Sequence, residues 1–181
     1  MARIQGYLID LDGTVYRGEQ LIPGASQAIS LLRARRRRFV FLSNKPLQSR
    51  MDYAAKLTSL GIPTEKSEVV NSSQVLALHL SREAPGAKVF AIGEPPLLAE
   101  LKEAGLILTD KPEEIEYVIA AFDRTFDYRK LNIAFQALKR GARFYATNPD
   151  RTCPVENGEI PDAAAVIAAL EATTGRKVEK I

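Results

Sequence analysis

Asp10 and Asp12 stand two residues apart at the end of the apolar run Tyr7-Leu8-Ile9, and Gly13 follows them. Side chains two apart in an extended chain share a face, and a glycine lets the backbone turn away sharply, so both carboxylates can enter one site. Two carboxylates that close repel each other unless a cation or a shared proton relieves them, and for oxygen ligands the natural cation is Mg²⁺. The pair suits phosphoryl transfer. One carboxylate can attack phosphorus in line, while the other protonates the leaving oxygen and then activates water. The metal would neutralise the developing charge. The plainer alternative is a turn at a strand end, where Asp and Gly are common.

The elements that must position these residues follow from period and punctuation. Short apolar runs alternate with amphipathic stretches, a βαβ pattern that implies a parallel sheet. Gly6 to Asp10 is predicted as a buried strand, Ala25 to Ala34 as a helix opened by Pro23 and Gly24, and Phe39 to Leu42 as a second buried strand. A helix to Leu60, stopped by Gly61, a short strand at Val69 and Val70, and a helix from Ser72 or Ser73 through Leu80 complete three βα units. Pro85 and Gly86 mark a boundary, after which the alternation starts again. Lys88 to Ile92, Leu106 to Thr109, Tyr117 to Ala121 and Arg143 to Ala146 read as strands, and Pro95 to Ala104, Tyr128 to Lys139 and Asp162 to Ala172 as helices. The segment from Arg176 to Ile181 reads as the start of one more strand.

Composition narrows the classes. The 181 residues are 46% hydrophobic, with eleven glycines and ten prolines, which fits an ordinary globular chain. The net charge is +3, but Arg33 and the run Arg35 to Arg38 account for all of the excess; the rest is slightly acidic. That cluster falls at a predicted helix end, where cations are favoured by the macrodipole, and no aromatic interleaving or second basic stripe accompanies it. A nucleic-acid partner is therefore not expected. No run approaches the roughly 18 apolar residues of a membrane span, so no membrane partner is expected either. Cys153 alone cannot form an internal disulfide, and with no secretory leader pattern at the start a cytoplasmic location is expected. His79, the single histidine, lies inside a helical run with no triad partners in view, and Cys153 has no base beside it in sequence. Neither a dinucleotide fingerprint nor a Walker lysine motif is present.

Asp10-Leu11-Asp12-Gly13-Thr14-Val15 resembles motif I of the haloacid dehalogenase superfamily, and Ser43-Asn44 after an apolar strand resembles its motif II. Tyr16 and Arg17, the segment Asp123-Arg124-Thr125-Phe126-Asp127-Tyr128 and the segment Ala146-Thr147-Asn148-Pro149-Asp150 are similar to the NagD-like, nitrophenylphosphatase-like branch. The resemblance implies an α/β fold: a doubly wound, Rossmann-like core with an inserted α/β cap. Residues 1–82 would belong to the core, 83–175 to the cap and 176–181 to a return into the core. It also implies a Mg²⁺-dependent phosphatase for a small phosphorylated metabolite. Asp10 would be nucleophile and metal ligand; Asp12 would be general acid and base, and a metal ligand. Ser43 and Asn44 would bind phosphate, and Asp123, Arg124, Asn148 and Asp150 would be lid or substrate contacts. A functional acid at Asp12 favours a leaving alkoxide over a leaving halide, which argues against dehalogenation.

Two departures from the family stand out. Lys45 takes the place of the usual asparagine after motif II; it would either add a charge beside the phosphoryl group or point to solvent, the simpler outcome. The family's motif III lysine and motif IV carboxylates come after the cap, and this sequence ends at Ile181 before them. The core would then be incomplete, turnover and metal affinity impaired, and the Gly6 to Asp10 strand left at a sheet edge open to homo-oligomer formation. The rival function is a non-catalytic module that binds a phosphate ligand or a protein partner.

Overall fold

The computed structural model describes residues 4–44, 48–155 and 158–180. The chain divides into two compact units, Met1–Asn71 and Ser72–Ile181.

The first unit begins with β1 (Gly6–Asp10), a small antiparallel hairpin of β2 (Tyr16–Arg17) and β3 (Gln20–Leu21), and helix α1 (Ala25–Ala34). Strand β4 (Arg38–Ser43), helix α2 (Arg50–Ser59) and strand β5 (Val69–Asn71) follow. The strands form a parallel sheet in the order β1-β4-β5. Both crossovers progress in the same direction, and right-handed connections then put both helices on one face. Ile29 of α1 and Tyr53, Ala54 and Leu57 of α2 accordingly share one core with Phe41, Val69, Leu11 and Val15. The opposite face is less covered: Leu8 is 74% exposed, and Val40 and Leu42 are half-buried. This corrects the expectation that β1 and β4 are buried strands, since an apolar run alone does not say how many helices cover each face. A capping box starts α2, with the Ser49 hydroxyl accepting from the Asp52 amide and the Asp52 carboxylate accepting from the Ser49 amide.

The second unit starts with helix α3 (Ser72–Glu83), then β6 (Lys88–Ile92), α4 (Pro95–Glu103), β7 (Ile107–Leu108) and β8 (Tyr117–Ala120). It continues through α5 (Tyr128–Lys139), β9 (Arg143–Ala146), the hairpin β10 (Thr152–Val155) and β11 (Gly158–Pro161), α6 (Ala163–Thr174) and β12 (Glu179–Lys180). Its five-stranded sheet is parallel, in the order β12-β9-β8-β6-β7. Alternate residues bury on opposite faces. Val89, Tyr117, Ile119 and Tyr145 pack under α3 and α4, whereas Ile92, Val118, Ala120, Phe144 and Ala146 pack under α5 and α6. A sheet covered on both faces requires unbroken apolar strands, which is why β8 reads Tyr-Val-Ile-Ala.

The division falls one helix earlier than the expected boundary after residue 82. Leu76, Ala77 and Leu80 of α3 pack with Leu97 and Leu101 of α4, so the helix is part of the second core. The segment at Glu179–Lys180, expected as a return into the first sheet, pairs with β9. Arg143 fastens both ends of this unit, since its guanidinium bonds Glu83 at the end of α3 and Glu179 on β12.

Candidate active site

The parallel pairing sets Asp10 opposite Leu42, so Ser43 lies one residue farther along the neighbouring strand at the same, C-terminal, edge. With strands roughly 4.8 Å apart and about 3.3 Å per residue, the two residues are neighbours at this edge, but their side chains start on opposite faces: Asp10 on the exposed face of Leu8 and Leu42, Ser43 on the helix-covered face of Phe41. The loop after β1 is anchored by Leu11, Val15 and Tyr16, all 2% exposed or less, and by the amides of Val15 and Gly13, which donate to Leu11 O (2.9 Å) and Tyr16 O (2.8 Å). Burying those three leaves Asp10, Asp12 and Thr14 at the surface. Gly13 sits at φ +85°, a left-handed conformation that a side chain would strain. The Thr14 hydroxyl donates to Asp10 Oδ2 at 3.1 Å, which orients the carboxylate.

Beneath these groups lie two buried tyrosines. The Ser43 hydroxyl donates to the Tyr53 hydroxyl at 3.0 Å. The Tyr16 phenol is held well above the ordinary tyrosine range, first by burial and then by its neighbours Asp12, the Tyr53 phenol, Asp10 and Glu19. Both aspartates thus bear on the same phenol, and Tyr53 joins that phenol to Ser43. Thr14, Tyr16 and Tyr53 were missed as members of this cluster. Thr14 and Tyr16 sit within or next to motif I and could have been weighed; Tyr53 lies ten residues from Ser43, and only the packing of α2 on β4 brings it near. Asn44 follows Ser43 directly and is exposed. Lys45 lies outside the described residues.

For magnesium, the donor chemistry fits: two exposed carboxylates on hard oxygen ligands at a strand end. No cluster of three or more His, Cys, Asp or Glu able to hold a metal forms among the described residues. Exposed carboxylate oxygens at a strand end are the hard donors that a water-retaining ion such as Mg²⁺ accepts.

In the second unit, the other four expected residues gather at the strand ends but have unequal freedom. The Asp123 side chain is fully buried; it accepts from Lys130 Nζ (2.6 Å) and from the Thr125 amide (2.8 Å) and hydroxyl (2.7 Å). Burial alone would raise its pKa, but these hydrogen bonds prevail and lower it. Asn148 is buried too; it donates to Asp150 Oδ2 (3.0 Å) and Asp162 Oδ1 (3.3 Å) and accepts from Thr147 (2.9 Å). Asp123, Asn148 and Asp150 thus brace loops. Arg124 is different: its side chain is 64% exposed, and it is paired with the buried Glu94, a residue that sequence reasoning did not single out. Cys153 is buried, and His79 Nε2 lies 3.0 Å from Glu83 Oε2. Arg33, expected as a solvated helix end, is half-buried and makes two 3.0 Å hydrogen bonds to Glu68. No helix is long and apolar enough to cross a membrane among the described residues.

Residues 7–107 match the family model described as haloacid dehalogenase-like hydrolase. The sugar-phosphatase AraL of Bacillus subtilis is 42% identical over 97% of this chain, which spans 65% of that protein's length. An acid sugar phosphatase of Staphylococcus epidermidis is 36% identical over the whole chain, which spans 70% of it. Among solved structures, the 4-nitrophenylphosphatase of Thermotoga maritima superposes with a TM-score of 0.92 at 33% identity, covering 98% of this chain and 67% of its own. A glycerol phosphate phosphatase of Mycobacterium tuberculosis, solved with magnesium, gives 0.88 at 34% identity, covering 97% and 53%. With motif I on an exposed loop beside Ser43, a family match over more than half its length and these relatives along nearly all of it, the chain belongs to the haloacid dehalogenase-like hydrolases, in their NagD-like and 4-nitrophenylphosphatase-like branch.

Proposed function

We propose that the chain carries the phosphoryl-transfer half of a Mg²⁺-dependent phosphatase acting on a small phosphorylated sugar or polyol. The observation that carries this is the placement of Asp10 and Ser43 on adjacent strand ends, with the charges of Asp10 and Asp12 both bearing on Tyr16. The names of the relatives, sugar phosphatases and a glycerol phosphate phosphatase, support the substrate class.

An Asp10 carboxylate oxygen attacks phosphorus and the ester P–O bond breaks. Asp12 gives its proton to the departing alkoxide, and its carboxylate then takes a proton from water as that water attacks the aspartyl-phosphate. The Asp10–phosphorus bond breaks, releasing phosphate and restoring both groups. Thr14 holds Asp10 in aim, the amide of Asn44 donates to the phosphoryl oxygens, and the hydroxyl of Ser43 donates to them once the Tyr53 hydroxyl turns from acceptor to donor towards it. Mg²⁺, which the Asp10 carboxylate and the Asp12 backbone carbonyl would hold, would supply charge neutralisation for the transferring group. The first unit carries the chemistry and the second substrate selection, through Arg124 on loops that Asp123, Asn148 and Asp150 brace. A cytoplasmic location fits a single, buried cysteine, and homo-oligomer formation fits the exposure of Leu8 on the less covered face of the first sheet.

The test is release of nitrophenol from nitrophenyl phosphate with and without Mg²⁺. Expected is metal-dependent release that Asp10→Asn abolishes. Absence of release from the metal-loaded chain, with phosphate binding retained, would favour the non-catalytic binding module instead.

A further inference from the structure

The strand order of the second sheet reverses between β6 and β8. From β6 the chain passes through α4 to β7 on one side; from β8 it passes through α5 to β9 on the other. Helix α4 packs on one face and α5 on the opposite face, so the loops leaving these adjacent strands part from each other. In open α/β sheets a reversal of this kind leaves a crevice outside the strand ends, where ligands bind. Glu94 follows β6 and Arg124 follows β8, and the two meet across this point.

Their geometry is that of a displayed donor on a hidden support. Glu94 stands at the N-cap of α4, yet its side chain makes no capping bond to that helix. Instead Oε1 accepts from Arg124 Nε (2.6 Å) and from the Arg124 amide (3.3 Å), and Oε2 accepts from Nη2 (2.8 Å). A short polar side chain would start the helix better, and a carboxylate only 9% exposed is costly unless it is paired. The pairing leaves the arginine side chain 64% exposed, with the Phe122 ring centroid 5.9 Å behind the guanidinium. No group takes Nη1 among the described residues, so the outer edge of the fork still offers N–H donors. Much of the arginine's rotamer freedom has been given up before any ligand arrives.

The charge balance indicates what would bind. Glu94 cancels the charge of Arg124, so a second anion gains little Coulomb attraction here, whereas hydroxyl oxygens find directional donors on the outer edge of the guanidinium. We propose that the Glu94–Arg124 pair is a recognition site for the hydroxyl groups of a sugar or polyol ligand, Arg124 touching the ligand and Glu94 acting as its positioning residue. This deepens the phosphatase function proposed above and rests on it only for the ligand's being a phosphate ester.

The test reads the Arg124 side chain itself. In ¹⁵N-labelled protein, its Nε–Hε resonance is identified by its loss in Arg124→Lys and followed during titration with a pentose monophosphate, the free pentose, inorganic phosphate and acetate. Expected is a shift with the pentose monophosphate, and a shift in the same direction with the free pentose at tenfold or more higher concentration. Inorganic phosphate and acetate should leave it in place. In Glu94→Gln, where the guanidinium charge is no longer cancelled, acetate and inorganic phosphate should begin to move it. A wild-type response to acetate or inorganic phosphate matching that to the sugar, or one confined to phosphate-bearing ligands, would overturn the assignment. So would silence towards all four. The titration repeated in Asp10→Asn separates the two conclusions: a response kept without nitrophenyl phosphate hydrolysis in any form of the protein sustains hydroxyl recognition and removes the phosphatase, while hydrolysis with a silent Arg124 does the reverse.

Discussion

Ser43 Oγ and Tyr53 Oη lie 3.0 Å apart, and the two residues are only 5% and 3% exposed. The contact ties the end of β4 to the first turn of α2, whose own start is fixed by Ser49 and Asp52. A phosphate-binding hydroxyl would thus be held from below by a helix, not by its own loop.

Tyr53→Phe keeps the ring in its core and removes the hydroxyl. The buried Ser43 oxygen loses a partner, at a cost of about 1 kcal/mol in stability. Urea denaturation should show that loss with an unchanged slope, and KM for nitrophenyl phosphate should rise more than kcat falls. An unchanged midpoint and KM would show that Tyr53 does not support Ser43.

Lys130→Met strands the fully buried carboxylate of Asp123 without its cation. Breaking one side of such a pair costs about 3 kcal/mol or more, and most of that should return in Lys130→Met combined with Asp123→Asn, where no buried charge is left. Chemical denaturation of the two variants measures the difference. A Lys130→Met protein as stable as wild type would mean that Asp123 is hydrated and not part of the core.

Acid should expose the Glu94 pairing. Hydrogen bonds from Arg124 hold the Glu94 carboxyl below its ordinary value of 4.5, outweighing the opposite push of burial. A carboxyl lowered by folding stabilises the folded state above its unfolded value, and the gain disappears as pH falls through the folded value. Stability measured from about pH 6 downward should therefore decline less steeply in Glu94→Gln than in wild type. Parallel curves would contradict an ionised, paired Glu94. Asp123, lowered as well, adds a decline of the same sign to both proteins, so the comparison isolates Glu94.

Gly93 is required by space, not by its backbone angles. A Cβ there would lie 2.7 Å from Leu97 Cδ2 and 3.3 Å from Ala121 Cβ. Gly93→Ala should destabilise by about 1–3 kcal/mol through overpacking, read as a fall of several degrees in Tm. Trimming the obstruction with Leu97→Ala in the same chain should give a smaller additional loss than Leu97→Ala causes alone in wild type.

Elements with strong local signals were legible in the sequence. Lys88–Ile92, Tyr128–Lys139 and Arg143–Ala146 carry the bounds that apolar period and glycine stops indicate, and Asp127 caps α5 by accepting from the Lys130 amide. The hairpins β2–β3 and β10–β11 went unread because their strands are too short for alternation to show. The assignment of α3 also went unread: its apolar stripe announces a helix, but not which sheet it covers.

Sequence alone determined the two-residue spacing of Asp10 and Asp12 at a strand end and the α/β alternation, because spacing, strand period and turn residues act within a few positions of the chain. Tertiary structure alone decided that Tyr53 supports Ser43, that Asp123 and Asn148 are buried in loop bracing while Arg124 stands exposed on Glu94, and that α3 packs with α4. Those outcomes depend on contacts between residues many positions apart, and on how each sheet's two faces are covered, which no local pattern of side chains contains.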